Sequence, residues 1–230
     1  MLQQLAAYAE LGYGSVCNPP WFGFDLRTHI AERDIQVLAY TNAEPAYLDQ
    51  LGEFRGFHVI RDPRDMAVSA YFSHLSSHPT VYWPELIPHR ESLARLSKSD
   101  GLLADLRFTS ILPTDGYDLR PYDAMATWDY GTGNIMEIRF EELVADPHSG
   151  FSRILRHLDM KIPDARLAEI LASYSFEVLS GGRSRGTEDA GAHYRRGVPG
   201  DWREHLEPRH RNLFRELHGN LANRLGYDVA

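Results

Sequence analysis

The sequence predicts an α/β fold, in which short apolar strands alternate with amphipathic helices. Three stretches carry that expectation. Phe57-His58-Val59-Ile60 is an apolar run of strand length that stops abruptly at Arg61-Asp62-Pro63; Ile35 to Tyr40 (IQVLAY) and Asn134 to Arg139 (NIMEIR) are two more such runs. Helical patterns lie between and after them. At 230 residues and 43% apolar content, the chain suits one large α/β domain over 1–230 and can fill its core.

From the start, LQQLAAYAEL over 2–11 has helix-forming composition, and Gly12 is a plausible stop. Residues 12–34 read as irregular apart from a short helix around His29, a histidine assigned a structural or solvated role. Pro19-Pro20-Trp21-Phe22-Gly23-Phe24 supplies aromatic residues for either a ligand pocket or packed lid structure. The strand 35–40 runs into Thr41-Asn42-Ala43-Glu44-Pro45. After the strand 57–60, Pro63 at a first helical position, Asp62 and Asp65 nearby, and apolar Met66, Phe72 and Leu75 mark a helix start. Ligands of open α/β sheets bind at the carboxyl ends of strands, so Arg61 stands where an anion would dock, beside the free N–H groups of the helix. Ser69 lies about two turns in, and its hydroxyl leans back toward the same ligand.

Between His78 and Asp115 the pattern loosens, and surface or core packing is the default reading of Trp83, His89 and Phe108. Helices are predicted over 122–128, 147–158 and 163–173. A Gly-rich, charged stretch over 181–189 predicts a mobile loop. Arg195-Arg196-Gly197, followed by Gly200-Asp201-Trp202, places two guanidinium forks on a loop whose glycines permit close backbone approach. A last helix is predicted over 208–225. His205, His210 and His218 are expected to be exposed and no metal is expected, since no carboxylate or cysteine partners them at ligand spacing.

Charge and composition remove other classes. A net charge of −8 argues against a nucleic-acid-binding face. The single Cys17 excludes a disulfide framework and a cysteine-rich zinc site, and reads as a buried, inert thiol. No window supplies a secretion signal or a membrane span, so a soluble, cytoplasmic protein is expected.

Taken in order, RDPRDMAVS (61–69), RFEEL with the following Asp146-Pro147, and YRRGVPGDW (194–202) resemble the PAPS-dependent sulfotransferase family over about Val37 to Leu206. The resemblance implies a three-layer α/β/α fold with a mainly parallel sheet, like that of P-loop nucleotide kinases. It implies an enzyme that moves a sulfuryl group from 3′-phosphoadenosine 5′-phosphosulfate (PAPS) to a hydroxyl or amine of a small-molecule acceptor, leaving adenosine 3′,5′-bisphosphate (PAP). Arg61, Ser69, Arg195, Arg196 and Gly197 then fall at the 3′-phosphate, and Phe140, Ser175 and Phe176 beside the adenine. Where relatives have a base histidine, this chain has Asn42, whose amide does not accept a proton near neutral pH; Glu44 and His74 are the substitute candidates. Met1 to Leu5 resembles the beginning of the family's first helix, so the preceding 5′-phosphosulfate loop, which looks like Lys-Ser-Gly-Thr-Thr in relatives, is expected to be missing by truncation. A homodimer is compatible with this reading. Two alternatives remain: a non-catalytic nucleotide-binding relative, and a P-loop kinase, which the lack of Gly-x-x-x-x-Gly-Lys-Ser/Thr disfavours.

Overall fold

The computed structural model describes residues 1–81, 83–114 and 117–228. Tyr82 and Asp115, inside the loosely patterned stretch from His78 to Asp115, lie outside these. In chain order the elements are α1 (Leu2–Tyr8), β1 (Tyr13–Val16), α2 (Leu26–Glu32), β2 (Val37–Tyr40), α3 (Pro45–Leu48), β3 (Gly56–Ile60), α4 (Pro63–Phe72), α5 (Leu86–Leu93), α6 (Lys98–Ser110), β4 (Leu112–Thr114) and β5 (Tyr117–Leu119). Then follow α7 (Pro121–Thr127), β6 (Ile135–Arg139), α8 (Phe140–Ala145), α9 (Pro147–His157), α10 (Asp164–Ser173), α11 (Phe176–Leu179), α12 (Trp202–His205), α13 (Pro208–His218) and α14 (Leu221–Arg224). Two compact units form: Met1–Ile60 with Thr127–Gly181, and Arg61–Ala126 with Gly182–Ala230.

The first unit holds the three strands that the sequence predicts and a fourth, β1, that it does not, all in parallel pairs. β1 pairs with β2 from Tyr13↔Val37 to Val16↔Tyr40, and β3 with β6 from Gly56↔Ile135 to Ile60↔Arg139. Parallel pairing requires helical crossovers, and α2 supplies one between β1 and β2. Ile138 of β6 is buried with Leu5 of α1, Phe151, Ile154 and Leu155 of α9, and Leu167 and Ile170 of α10. Those helices place their apolar residues three and four apart, so each turns one face to the cluster. Pro147 at the first position of α9 and Asp146, accepting from Ser149 N at 3.0 Å, fix where that helix begins. A second cluster joins Val16, Phe22 and Leu26.

Two sequence expectations are corrected by these elements. The stretch 12–34 is not irregular throughout, because β1 lies in it; Tyr-Gly-Ser-Val has weak strand propensity and forms a strand only through its partner β2. Gly12 is needed just before it, since a Cβ there would stand 2.2 Å from the Asp34 carbonyl oxygen. The helix predicted over 208–225 is broken at Gly219, whose φ of 60° ends α13 and starts a turn before α14.

The regular elements of the second unit, among the described residues, are helices and the antiparallel pair β4–β5. α4 is its axis. One of its sides packs Val68, Tyr71 and Phe72 against Leu93, Leu102, Trp202 and Leu206; another packs Ala67 with Leu106, Tyr122, Leu213, Phe214 and Leu221. Beyond Phe72 the chain widens into a π-helical turn, Ser73–Ser77, which carries His74. Among the described residues no helix is long and apolar enough to cross a membrane.

Candidate active site

The site is built from the first turn of α4. Asp62 caps the helix by accepting from Arg64 N at 2.9 Å, and Arg64 folds back on the same carboxylate through Nε at 2.9 Å and Nη2 at 2.8 Å. Its guanidinium lies 3.7 Å from the centre of the Trp202 ring. Asp65, 1% exposed, reaches the other way and accepts from Gly200 N at 2.6 Å and Trp202 N at 2.8 Å. Burial pushes the Asp65 carboxyl above its ordinary value, against the lowering effect of those two N–H donors and of Arg61. Arg61 is the single residue between the end of β3 and the cap Asp62.

Asp65, Ser69 and Phe72 fall at i, i+4 and i+7 on α4 and share one stripe. Asp65 binds the 200–202 turn, and Phe72 lies under Arg195, whose guanidinium is 4.2 Å from its ring centre. Ser69, half-buried, falls between these two anchors in the helical repeat.

On that loop both guanidinium groups already meet carboxylates. Arg195 bonds Glu188 at 2.6 Å and also Asp201; Arg196 bonds Asp201 at 2.6 Å and Glu204 at 2.6 and 2.9 Å. Asp201 is buried, whereas Glu204 is exposed. Glu204 raises the Arg196 pKa and is itself lowered by it. Gly197 and Gly200 take φ of 72° and 81°, which turns the backbone sharply on both sides of Val198-Pro199. The Gly-rich stretch folds back here, with Gly186 N donating to Arg196 O at 2.8 Å, Asp189 N to Arg195 O at 3.0 Å, and Arg183 to the carbonyls of Tyr194, Thr187 and Arg195.

The remaining candidates lie elsewhere. Glu44 is the residue before α3 and does not cap it with its side chain. It follows Asn42, which has a φ of 54° and an Nδ2 3.6 Å from Cys17 Sγ. Ser175 caps α11 by accepting from Val178 N at 3.3 Å, Phe176 is buried in that helix, and Phe140 opens α8. These five residues belong to the first unit. His74, in the second, is 5% exposed, with Nδ1 2.8 Å from Asp105 Oδ1.

A family model described as the sulfotransferase domain matches residues 54–226, three quarters of the chain. The chain belongs to the sulfotransferase family. Solved structures agree in fold. Mouse sulfotransferase SULT7A1 complexed with PAP shares 18% identity at a TM-score of 0.62, over 97% of this chain and 83% of that one. Retinol dehydratase in complex with androsterone and inactive cofactor PAP shares 18% at 0.51, and in complex with retinol and PAP 17% at 0.50; both matches span 85% of this chain and 55% of theirs. No curated protein sequence matches.

The matched segment of this sulfotransferase includes the arginine loop, Arg61, Ser69, His74, Phe140, Ser175 and Phe176, and leaves Glu44 outside. Sequence reasoning missed the carboxylates that organise the loop. In the sequence Asp65 is a helix-start acid three residues after the cap and Asp201 an acid between Gly200 and Trp202, and neither position announces that it organises the loop. The expectation that His205 and His210 are exposed is overturned, since they are 8% and 0% exposed. His205 packs edge-on against Phe72, and His210 bonds Glu207 N and Ser99 O at 3.0 and 2.8 Å. Spacing alone cannot reveal which side of a short helix is covered.

Proposed function

We propose that this chain transfers a sulfuryl group from PAPS to a hydroxyl or amine of a small-molecule acceptor. The observation that carries the reading is that α4 holds the segment of Arg195 and Arg196 through Asp65 and Phe72, and Ser69 falls between those two in the helical repeat. Arg61, Ser69, Arg195 and Arg196 are assigned to the 3′-phosphate, with Gly197 allowing the backbone to approach it. The donor set fits a phosphate dianion. Planar guanidinium forks that hold carboxylates in pairs can exchange them for phosphate oxygens, and a hydroxyl adds a neutral donor. For Phe140, Ser175 and Phe176 beside the adenine, the support is the family resemblance.

In the reaction an acceptor oxygen or nitrogen forms a bond to sulfur as the bond from sulfur to the 5′-phosphate oxygen breaks, and the electron pair leaves with PAP. The arginines hold the nucleotide in register, which is how positioning lowers a transfer barrier. Glu44 is assigned the acceptor's proton, because a carboxylate can act as a base where the Asn42 amide cannot. His74 is too deeply buried, and too firmly bonded to Asp105, for an acceptor to reach it.

Calorimetry with PAP tests the assignment. Arg196→Ala removes charged hydrogen bonds worth about 1.5–3 kcal/mol, so affinity should fall roughly tenfold or more; an unchanged affinity rejects the clamp.

A further inference from the structure

Three segments of the second unit meet in a buried polar knot that sulfuryl transfer leaves unused. His74 lies in the π-helical turn after α4, His89 on α5 and Asp105 on α6. His74 Nδ1 and His89 Nε2 each stand 2.8 Å from the same atom, Asp105 Oδ1. The second oxygen, Oδ2, is buried and has no hydrogen-bond partner among the described residues. The three side chains are 7%, 12% and 1% exposed, and their donor atoms lie within 4.8 Å of one another.

This arrangement is under-satisfied. Two imidazoles converge on one lone-pair-bearing oxygen while the other carboxylate oxygen stays bare, and burial of a carboxylate is unfavourable without a compensating cation. The adjacent guanidinium of Arg90 does not supply it, because its Nε and Nη2 donate to the carbonyls of His74 and His78 at 2.7 and 2.6 Å. The rings are also fixed in place. His89 stacks on Phe108 at 3.7 Å and 11°, Trp83 stacks on the same ring, and Trp83 Nε1 is tied to Pro113 O at 2.7 Å. Ligands held so rigidly by their neighbours are pre-set for one geometry.

We propose that His74, His89 and Asp105 bind a divalent transition-metal ion of the zinc class, with water in the remaining position. Two imidazole nitrogens and one carboxylate oxygen select borderline ions such as Zn²⁺ or Co²⁺ over Mg²⁺ and Ca²⁺, which take all-oxygen shells. At metal–ligand lengths of ~2.0–2.2 Å tetrahedral donors stand about 3.3 Å apart, so the two 2.8 Å contacts need open by only half an ångström or so. On binding, each imidazole moves its proton to its other ring nitrogen and the freed lone pair faces the ion. The metal would tie the turn after α4 to α5 and α6. The proposal does not depend on the sulfuryl-transfer reading.

Cobalt titration of the chelator-treated full chain is the test. Stoichiometric visible d–d bands of four-coordinate N/O type, lost on adding Zn²⁺, are expected. Asp105→Asn should weaken Co²⁺ binding about a hundredfold or more with an unchanged far-UV spectrum. Should that variant not fold, His89→Gln, at the rim of the knot, should lose the bands in the same way. Absence of bands at millimolar Co²⁺, even after refolding in its presence, overturns the site, as do equal bands in wild type and a folded variant.

Discussion

Arg195 and Arg196 are occupied by Glu188, Asp201 and Glu204, so in the proposed clamp a phosphate would enter by exchange with carboxylates already in place. Asp201 keeps both guanidinium groups pointed the same way, and His205, four residues on, stands 3.6 Å from it. His205 offers a clean pH experiment. Burial, the largest influence, and the charges of Lys98 and Arg195 lower its pKa from 6.5 to about 4. Neither ring nitrogen has a hydrogen-bond partner among the described residues. Between those two values the unfolded chain takes up a proton that the folded chain refuses, so the His205 contribution is intact above pH 6.5 and is lost as pH falls toward 4. At 1.36 kcal/mol per unit that amounts to about 2 kcal/mol by pH 5. His205→Phe keeps the contact with Phe72 and removes the titration. Urea unfolding at pH 7, 6 and 5 should show a shallower loss of stability in the variant. Parallel slopes would mean that the histidine charges freely in the folded chain.

At the scale of elements, α4 does two jobs because its first turn uses two carboxylates differently. Asp62 is satisfied locally, by Arg64 N and the Arg64 guanidinium, and sets where the helix starts. Asp65 is satisfied across 135 residues of sequence, by Gly200 N, and by Trp202 N next to it. The helix thereby holds the turn that follows the arginine loop, and Trp202, 1% exposed, seals the contact. Replacing Asp65 with Ala leaves two N–H groups without their acceptor. With charged hydrogen bonds worth ~1.5–3 kcal/mol each, Asp65→Ala should destabilise the chain by roughly 3 kcal/mol or more, measured by denaturant unfolding. Hydrogen exchange at Gly200 and Trp202 should speed up while that in β3 and β6 stays unchanged. Unaltered protection at these two amides would show that the turn is held by something other than Asp65.

Over the whole molecule, what the sequence disclosed and what it hid divide along a physical line. The runs 37–40, 56–60 and 135–139 were legible because β-branched and apolar residues of strand length announce themselves locally, and so was the entry to α4 from Asp62-Pro63. β1 was hidden because Gly14 and Ser15 carry no strand signal, and the knot at Asp105 because α5 and α6 bring its members together only by folding. The arginine pair was legible from its glycines, yet the carboxylates gripping it were not, since charge partners depend on which faces meet. A net charge of −8 makes local arrangement decisive for any anionic ligand, because the distant field would repel what the proposed clamp attracts. Discrimination between nucleotides should therefore follow the 3′-phosphate and not total negative charge. PAP at a hundred times its dissociation constant stabilises by about 2.7 kcal/mol, or roughly 5–10 °C for a chain of this size. AMP, which lacks only the 3′-phosphate, should shift the midpoint far less at the same concentration. Equal shifts would mean that no site on this chain reads the 3′ position, and the clamp on α4 would have to be given up.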